Sequence, residues 1–211
     1  MDRNVPDKLY KFKSLNSEFD LGRIKDIIKK GFWCSKFLEF NDMNEGVYIG
    51  NHIPFNEKEN YKICSFSARK ALYSELVWGH YANGGKGVAI EIQVDNEKKY
   101  DIYTVTYTDN FQENLNIKKI LTTKSTSWKY EDEYRLLTTK QGNEHSIGKI
   151  TKIYIGTPYK SLQNYEKDIK IKLCSFINNV EKLKEFCKEN YPQIEIEYFD
   201  FNNVGGKNEK S

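Results

Sequence analysis

Apolar and polar residues alternate along much of the chain, which is typical of half-buried β-strands. Alternating or aromatic-rich runs predict strands at KLYKFKSL, FWCSKF, YKICSFS, GVAIEIQV, YDIYTVTY, YEDEYRLL, ITKIYIG and IEIEYFDF. Apolar residues at helical spacing predict helices at LGRIKDIIKKG, ARKALYSELVWGHYA, DNFQENLNIKKIL and VEKLKEFCKENY. Because strands outnumber helices and do not alternate regularly with them, the pattern favours an α+β fold with mixed, mostly antiparallel sheets and three to five helices.

Residues at the ends of these helices support the assignments. Gly31 follows the first helix where a C-terminal glycine is common, and Ser67 precedes the second as a candidate N-cap. Asp109 with Gln112 three residues later forms a candidate capping box for the third helix.

Length and apolar content indicate one core. The chain has 211 residues, of which 38% are hydrophobic and 14% aromatic, and domains commonly span roughly 100–200 residues. The apolar residues are spread along the whole length, so we expect a single globular domain over residues 1–201. Residues 202–211 are polar and glycine-containing, and we expect a disordered tail there.

Charge and cysteine usage narrow the partners and the compartment. With 33 basic and 30 acidic residues the net charge is +3, which argues against a dedicated binder of the nucleic-acid backbone. The four cysteines are scattered without a C-x-x-C pair, so free thiols in a reducing cytoplasm are expected. No apolar run approaches the roughly 20 residues of a membrane helix, so no membrane association is expected.

The stretch VWGHYANGGKGVAIEI places a histidine between aromatic residues and a glycine turn. On a continuous helix His80 shares an apolar face with Leu72 and Leu76, while Trp78 projects from the other side. Two interpretations of His80 stay open. It is either a core histidine with one buried partner, or an acid, base or ligand-positioning donor that faces a cleft beside the glycines.

Two groups of carboxylates are candidates for chemistry. Alternation in GVAIEIQV puts Glu91 on the opposite face from the branched aliphatic residues, as a solvated sheet residue or a catalytic acid. If YEDEYRLL is a strand throughout, Glu131, Glu133 and Arg135 share one face. They form either a surface charge ladder or a site in which Arg135 keeps one acid ionised beside a tunable neighbour.

The sequence offers no metal-binding signature. The histidines at positions 52, 80 and 145 are far apart, and neither H-E-x-x-H nor paired cysteines occur. We therefore predict no metal site.

Several motifs resemble a bacterial family, domain of unknown function 2971. They are LYKFKSL, FWCS with FND, CSFS, VWGHYANGGKGVAIEI and WKYEDEYRLL, in the family's order over roughly residues 9–138. FNDMNE stands where the family has FNDPFE, so the loop after Asp42 departs from the pattern. This resemblance implies no activity.

A second resemblance, to ADP-ribosyltransferases, does imply an activity. The order of a strand with a basic residue, a helix, glycine, a strand and a late strand entered by Glu-x-Glu is similar to that fold. It implies Glu133 as the catalytic glutamate and Glu131 as its partner, with NAD as co-substrate. His80 is added as a further catalytic candidate. Lysine at position 11, where those enzymes have Arg or His, is a departure. The residues expected to contact NAD are Lys11, Trp33, Ser35, Tyr81, Trp128 and Arg135.

Three functions therefore remain open. The resemblance implies a transferase or glycohydrolase that cleaves the nicotinamide–ribose bond, by analogy a toxin or phage-defence effector acting on a protein or nucleic acid. Alternatively, Glu91, Glu131 and Glu133 gather around Mg²⁺ in a nuclease, with His80 and lysines handling phosphate. In the third alternative the aromatic residues form a non-catalytic ligand- or protein-binding module.

Overall fold

A computed structural model describes residues 5–40, 55–110, 116–158 and 167–200. Several features expected from the sequence lie outside these residues, so their predictions stay open: the tail over 202–211, His52, Gln112 of the capping box and the loop after Asp42. None of the helices in the described ranges has the length and hydropathy needed to span a bilayer.

The described residues form a mixed α and β structure around one large sheet. The strands are β1 (Lys8–Ser14), β2 (Phe32–Trp33), β3 (Lys62–Ser67), β4 (Gly87–Val94), β5 (Ile102–Thr104), β6 (Thr106–Tyr107), β7 (Thr123–Lys124), β8 (Glu133–Thr138), β9 (Glu144–His145), β10 (Gly148–Ile155) and β11 (Glu195–Tyr198). The helices are α1 (Glu18–Lys30), α2 (Phe55–Glu59), α3 (Glu75–Tyr81), α4 (Ile117–Ile120), α5 (Lys167–Lys172) and α6 (Cys174–Asn190). The predicted class, α+β with a mostly antiparallel sheet, is confirmed.

The large sheet has seven strands in the order β11-β10-β4-β1-β3-β8-β5. Its neighbouring strands are antiparallel except for β10 and β11. β1 pairs with β4 from Lys8 to Ser14, but it pairs with β3 only between Tyr10 and Ser67. The sheet therefore splits into two halves between β1 and β3, and this split opens the candidate site.

Apolar side chains cover both faces of this sheet. One core combines alternate residues of β4, including Ile90 and Ile92, with Ile24 of α1 and Phe176 of α6. A smaller core on the other face contains Trp78 of α3. Burial of these side chains at roughly 25 cal/mol per Å² is the main force that holds the layers together.

The first helix follows its sequence signals closely. α1 begins at a capping box in which Ser17 and Asp20 exchange hydrogen bonds, and it ends at Gly31 with a φ of 107°. A side chain at Gly31 would meet the backbone of His145 at 2.9 Å. Glycine is required at this position both by its conformation and by the close approach of β9.

The predicted second helix is broken in two. A 3₁₀ helix covers Arg69–Tyr73, Ser74 caps α3, and the expected cap Ser67 is the last residue of β3. The break changes the register between the two pieces, so the face predicted from continuous spacing is wrong. Trp78 is buried, whereas Leu76 is 55% exposed and His80 is exposed.

The Glu-x-Glu stretch is also not a strand throughout. Thr126–Glu131 is a 3₁₀ helix, and β8 begins only at Glu133. Asp132 between them has a φ of 46°, in the left-handed region. The prediction that Glu131 and Glu133 share one strand face is therefore wrong, although both carboxylates are buried. Two other predicted strands are shorter: FWCSKF forms only β2 and one bridge, and YDIYTVTY divides into β5 and β6.

Candidate functional site

Glu131 and Glu133 come together on a buried lysine that the sequence did not single out. Lys124, at the end of β7, has its Nζ 2.6 Å from an oxygen of Glu131 and 3.2 Å from one of Glu133. All three residues are 4% exposed. Glu131 is the last residue of the 3₁₀ helix Thr126–Glu131, and Glu133 is the first residue of β8. Together with Lys124 of β7, the cluster therefore combines residues of three separate elements.

Each carboxylate has a further donor of its own. Arg135 is fully buried, and its Nε lies 2.8 Å from Oε1 of Glu133. A second guanidinium nitrogen of Arg135 donates to the carbonyl of Leu121 at 2.6 Å, which fixes the side chain in place. The Tyr81 hydroxyl, at the end of α3, donates to Glu131. The aromatic-rich end of α3 therefore meets the acidic pair.

The two acids have opposite pKa shifts. Burial would raise the pKa of Glu133, but Arg135 and Lys124 outweigh burial and hold this pKa at about 2. Burial and the neighbouring Glu133 charge raise the pKa of Glu131, and Lys124 and Tyr81 only partly oppose them. Glu133 is therefore ionised at neutral pH, and Glu131 is the acid of the pair that takes up a proton more readily.

These acids form one wall of a cleft at the split of the sheet. The cleft has a volume of about 280 Å³. It is lined by residues of β1, β3 and the acidic cluster: Tyr10, Lys11, Phe12, Lys13, Glu39, Phe40, Ser65, Phe66, Ser67, Tyr81, Lys124, Glu131 and Glu133. Acidic, basic and aromatic side chains thus face the same small space.

Two lysines of β1 supply the basic side of the cleft. Lys11 bridges the split by donating from Nζ to the Ser65 carbonyl at 2.6 Å. Lys13 also lines a second cleft, together with Arg23 and Trp33. Burial lowers the pKa of Lys13 to about 8, and the charges of Lys11 and Arg23 contribute to this shift. An anion beside these cations would relieve their repulsion.

His80 lies beside the site without lining the cleft. Its ring stacks on Tyr130 at 6.0 Å and lies 6.5 Å from Trp128. The Lys124 ammonium lies 4.6 Å from the centre of the Trp128 ring, so this aromatic group covers the acidic cluster from outside. His80 is thus neither the core residue of the first interpretation nor a residue of the cleft wall.

The remaining predicted NAD contacts are dispersed. Trp33 is 48% exposed and lines only the second cleft. Ser35 exchanges backbone hydrogen bonds with Ile63 and is not among the residues that line either cleft. Arg135 lies behind Glu133 and is not a lining residue either. From the predicted set, the structure brings Lys11, Tyr81 and the two acids together in one cleft.

Glu91 belongs to a different cluster. It is 3% exposed and accepts hydrogen bonds from Lys8, Tyr10, Thr151 and Tyr154. The expectation that it is solvated is wrong, because its partners on β1 and β10 enclose it. In the described part of the chain, no three His, Cys, Asp or Glu side chains are grouped as metal ligands, and Glu91 does not join the acidic pair.

Comparison of the chain with protein-family models, with curated proteins and with solved structures finds no match in any of the three. The function is therefore argued from the chemistry of the site.

Proposed function

We propose that the chain is an ADP-ribosyltransferase-like enzyme that cleaves the nicotinamide–ribose bond of NAD in the cleft between β1 and β3. The observation that carries the proposal is the buried acidic pair in this cleft, with Lys124 between the carboxylates and Tyr81 and Lys11 beside them.

The ionised Glu133 suits the electrostatic demand of this reaction. As the bond from ribose C1′ to the nicotinamide nitrogen breaks, its electron pair leaves with nicotinamide and positive charge develops on the ribose. A carboxylate fixed by Arg135 in a poorly hydrated cleft stabilises that charge without reorganising. Arg135 itself acts as a positioning residue.

Glu131 suits the second task, which is to handle the proton of the nucleophile. Its raised pKa makes it the acid of the pair that takes up a proton more readily, and the hydrogen bond from the Tyr81 hydroxyl holds the carboxylate in place. Water or a hydroxyl or amine of a target would bond to ribose C1′ and lose its proton to Glu131. Water gives a glycohydrolase, and a protein or nucleic-acid target gives a transferase.

The size of the cleft fits one end of the dinucleotide. A volume of about 280 Å³ lies at the lower limit of ligand pockets, which hold roughly 300–1,000 Å³. It accommodates the nicotinamide and its ribose. The second cleft shares Lys11 and Lys13, so a dinucleotide across both clefts would set its diphosphate beside these ammonium groups.

The nuclease alternative has no supporting observation among the described residues, because Glu91 is held in a separate network and does not join Glu131 and Glu133. The binding-module alternative shares the cleft with the proposal but predicts no turnover. The role in toxicity or phage defence and the identity of the target are parts of the proposal that rest on analogy alone.

The test measures nicotinamide release from NAD by the purified full chain, alone and with cell extract as a source of targets. Glu133→Gln should lower release by about 10²-fold, and Glu131→Gln should also lower it. Glu185→Gln, at an exposed position of α6, is the matched control and should keep full activity. Circular dichroism verifies that each variant is folded.

Two results would overturn the proposal. The first is a folded Glu133→Gln variant with undiminished release. The second is the absence of nicotinamide release by the native chain. In that case, melting temperatures measured with added ligands, together with nuclease assays, distinguish the two alternative functions. A rise in melting temperature with NAD and no turnover indicates a binding module. Activity on nucleic acid that EDTA abolishes indicates the nuclease.

A further inference from the structure

Cys34 and Cys64 lie directly opposite each other where the chain after β2 meets β3. Ser35 and Ile63 form an antiparallel bridge with reciprocal backbone hydrogen bonds of 2.9 and 2.8 Å. The next residues outward on this bridge are Cys34 and Cys64. Because hydrogen-bonded and non-hydrogen-bonded pairs alternate along antiparallel strands, the two cysteines form a non-hydrogen-bonded pair.

The spacing of such a pair suits a disulfide. Opposed residues in a non-hydrogen-bonded pair have Cα atoms about 4.5 Å apart, and disulfides span Cα separations of about 4.4–6.8 Å. Side chains of opposed residues project to the same face. Both thiols are buried in the same apolar core and are free in this structure. A bond between them would need little movement of the backbone.

The surroundings also divide the roles of the two sulfurs. Burial would raise the pKa of Cys64, but the Cys34 thiol and the ammonium groups of Lys11 and Lys13 lower it to about 7. The pKa of Cys34 is raised, first by its interaction with Cys64 and then by burial. Cys64 is therefore the sulfur of the pair that ionises more readily and Cys34 the one that keeps its proton, which is the division of roles between an attacking and a resolving cysteine.

We propose that Cys34 and Cys64 are a redox-active pair that hydrogen peroxide converts to an intramolecular disulfide in the folded protein. The Cys64 thiolate attacks one peroxide oxygen, the O–O bond breaks, and the leaving hydroxide takes up the proton that the Cys64 thiol had lost to solvent, so Cys64 sulfenic acid and water form. The Cys34 sulfur then attacks the sulfenic sulfur, the S–S bond forms, and the Cys34 proton and the sulfenic hydroxyl leave as a second water. Both sulfurs are oxidised, and the peroxide oxygens are reduced to water.

Both cysteines are buried and line neither cleft, but residues next to them in the chain line both. The neighbours of Cys64 along β3, Ser65 and Phe66, line the main cleft, and Phe32 and Trp33 before Cys34 line the second cleft. The disulfide would also remove the thiolate charge beside Lys11 and Lys13. The inference does not depend on NAD as the substrate.

The experiment treats the folded full chain with one equivalent of hydrogen peroxide, in a Cys174→Ser background that removes the exposed thiol. Intact mass should fall by the mass of two hydrogens, and peptide mapping should find the 34–64 linkage, reversed by dithiothreitol. Cys34→Ser should instead accumulate Cys64 sulfenic acid, trapped by dimedone. Cys187→Ser, which removes a buried cysteine elsewhere, should leave the linkage unchanged.

Three outcomes would overturn the proposal. They are retention of both thiols in the folded chain after peroxide, formation of the linkage only in denaturant, and a linkage of either cysteine to Cys187 in equal yield. The measurement on the chain with both native cysteines decides the matter even if a serine variant fails to fold.

Discussion

Replacing Lys124 with methionine is the sharpest test of how the acidic pair is held. Methionine keeps most of the length of lysine and removes its charge, so Glu131 and Glu133 would face each other without the cation between them. Arg135 would still bind Glu133, but among the described residues Glu131 would keep only the hydroxyl of Tyr81 as a donor.

The expected loss of stability in Lys124→Met follows from the burial of the three charged side chains. Lys124 contacts the two carboxylates at 2.6 and 3.2 Å, and all three side chains are at most 5% exposed. Removing one partner of such a buried ion pair costs about 3–5 kcal/mol, because a charge is left without compensation. We therefore expect the free energy of unfolding of Lys124→Met to fall by about 3–5 kcal/mol at pH 7.5.

The loss should depend on pH with a definite sign. Without Lys124 the folded-state pKa of Glu131 rises further above its unfolded value, so the folded variant binds more protons between these two values. Its stability then decreases as pH rises through that interval. The deficit relative to the native chain should therefore be smaller at pH 5 than at pH 8.

Urea unfolding followed by circular dichroism measures these differences. Lys152→Met is the matched control, since Lys152 pairs with Glu195 and Glu197, which are 71% and 52% exposed, and exposed pairs contribute about 0–1 kcal/mol. The double variant Lys124→Met with Glu131→Gln should recover part of the loss, because one uncompensated charge is gone. A loss below about 1 kcal/mol, or strictly additive effects in the double variant, would refute the reasoning.

Four further predictions use the same unfolding measurements. Gly22→Ala, in α1 with open space around the new methyl group, should stabilise the fold by about 0.5–1 kcal/mol, and a loss would contradict this. Gly87→Ala should cost about 2 kcal/mol or more, since its Cβ would lie 2.3 Å from the Lys13 carbonyl; an unchanged midpoint would be inconsistent with the packing. Glu91→Leu should cost about 2–4 kcal/mol because buried donors lose their acceptor, and a neutral effect would show that the network is dispensable. The Glu133 pKa of about 2 lies below the ordinary 4.5, so the contribution of this carboxylate to the free energy of unfolding is present above pH 4.5 and lost as pH falls toward 2. In Glu133→Gln the free energy of unfolding should therefore decrease less between pH 4.5 and pH 2.

Part of the candidate site is predictable from the sequence, because paired carboxylates, lysines and tyrosines are residue types that commonly bind ligands or take part in catalysis. The sequence predicts the acidic pair, Lys11 and Tyr81 as site residues, and they meet in one cleft. The sequence does not single out Lys124, since a lysine beside threonines is typical of the protein surface. Its burial depends on β6 and β7 pairing, which is a long-range event that no local pattern records.

The sequence by itself determined the local elements with strong periodicity. The alternation in β4 and the spacing and glycine stop of α1 are local properties of the chain, so they predicted both elements. They did not predict that β4 is buried on both faces. Only the tertiary structure decided where the predicted helices and strands are interrupted. Ser74 restarts a helix and Asp132 turns in the left-handed region, and each interruption changes which side chains are buried. The exposure of His80 and the meeting of Glu131 with Glu133 both follow from those breaks, because burial is set by contacts between distant segments.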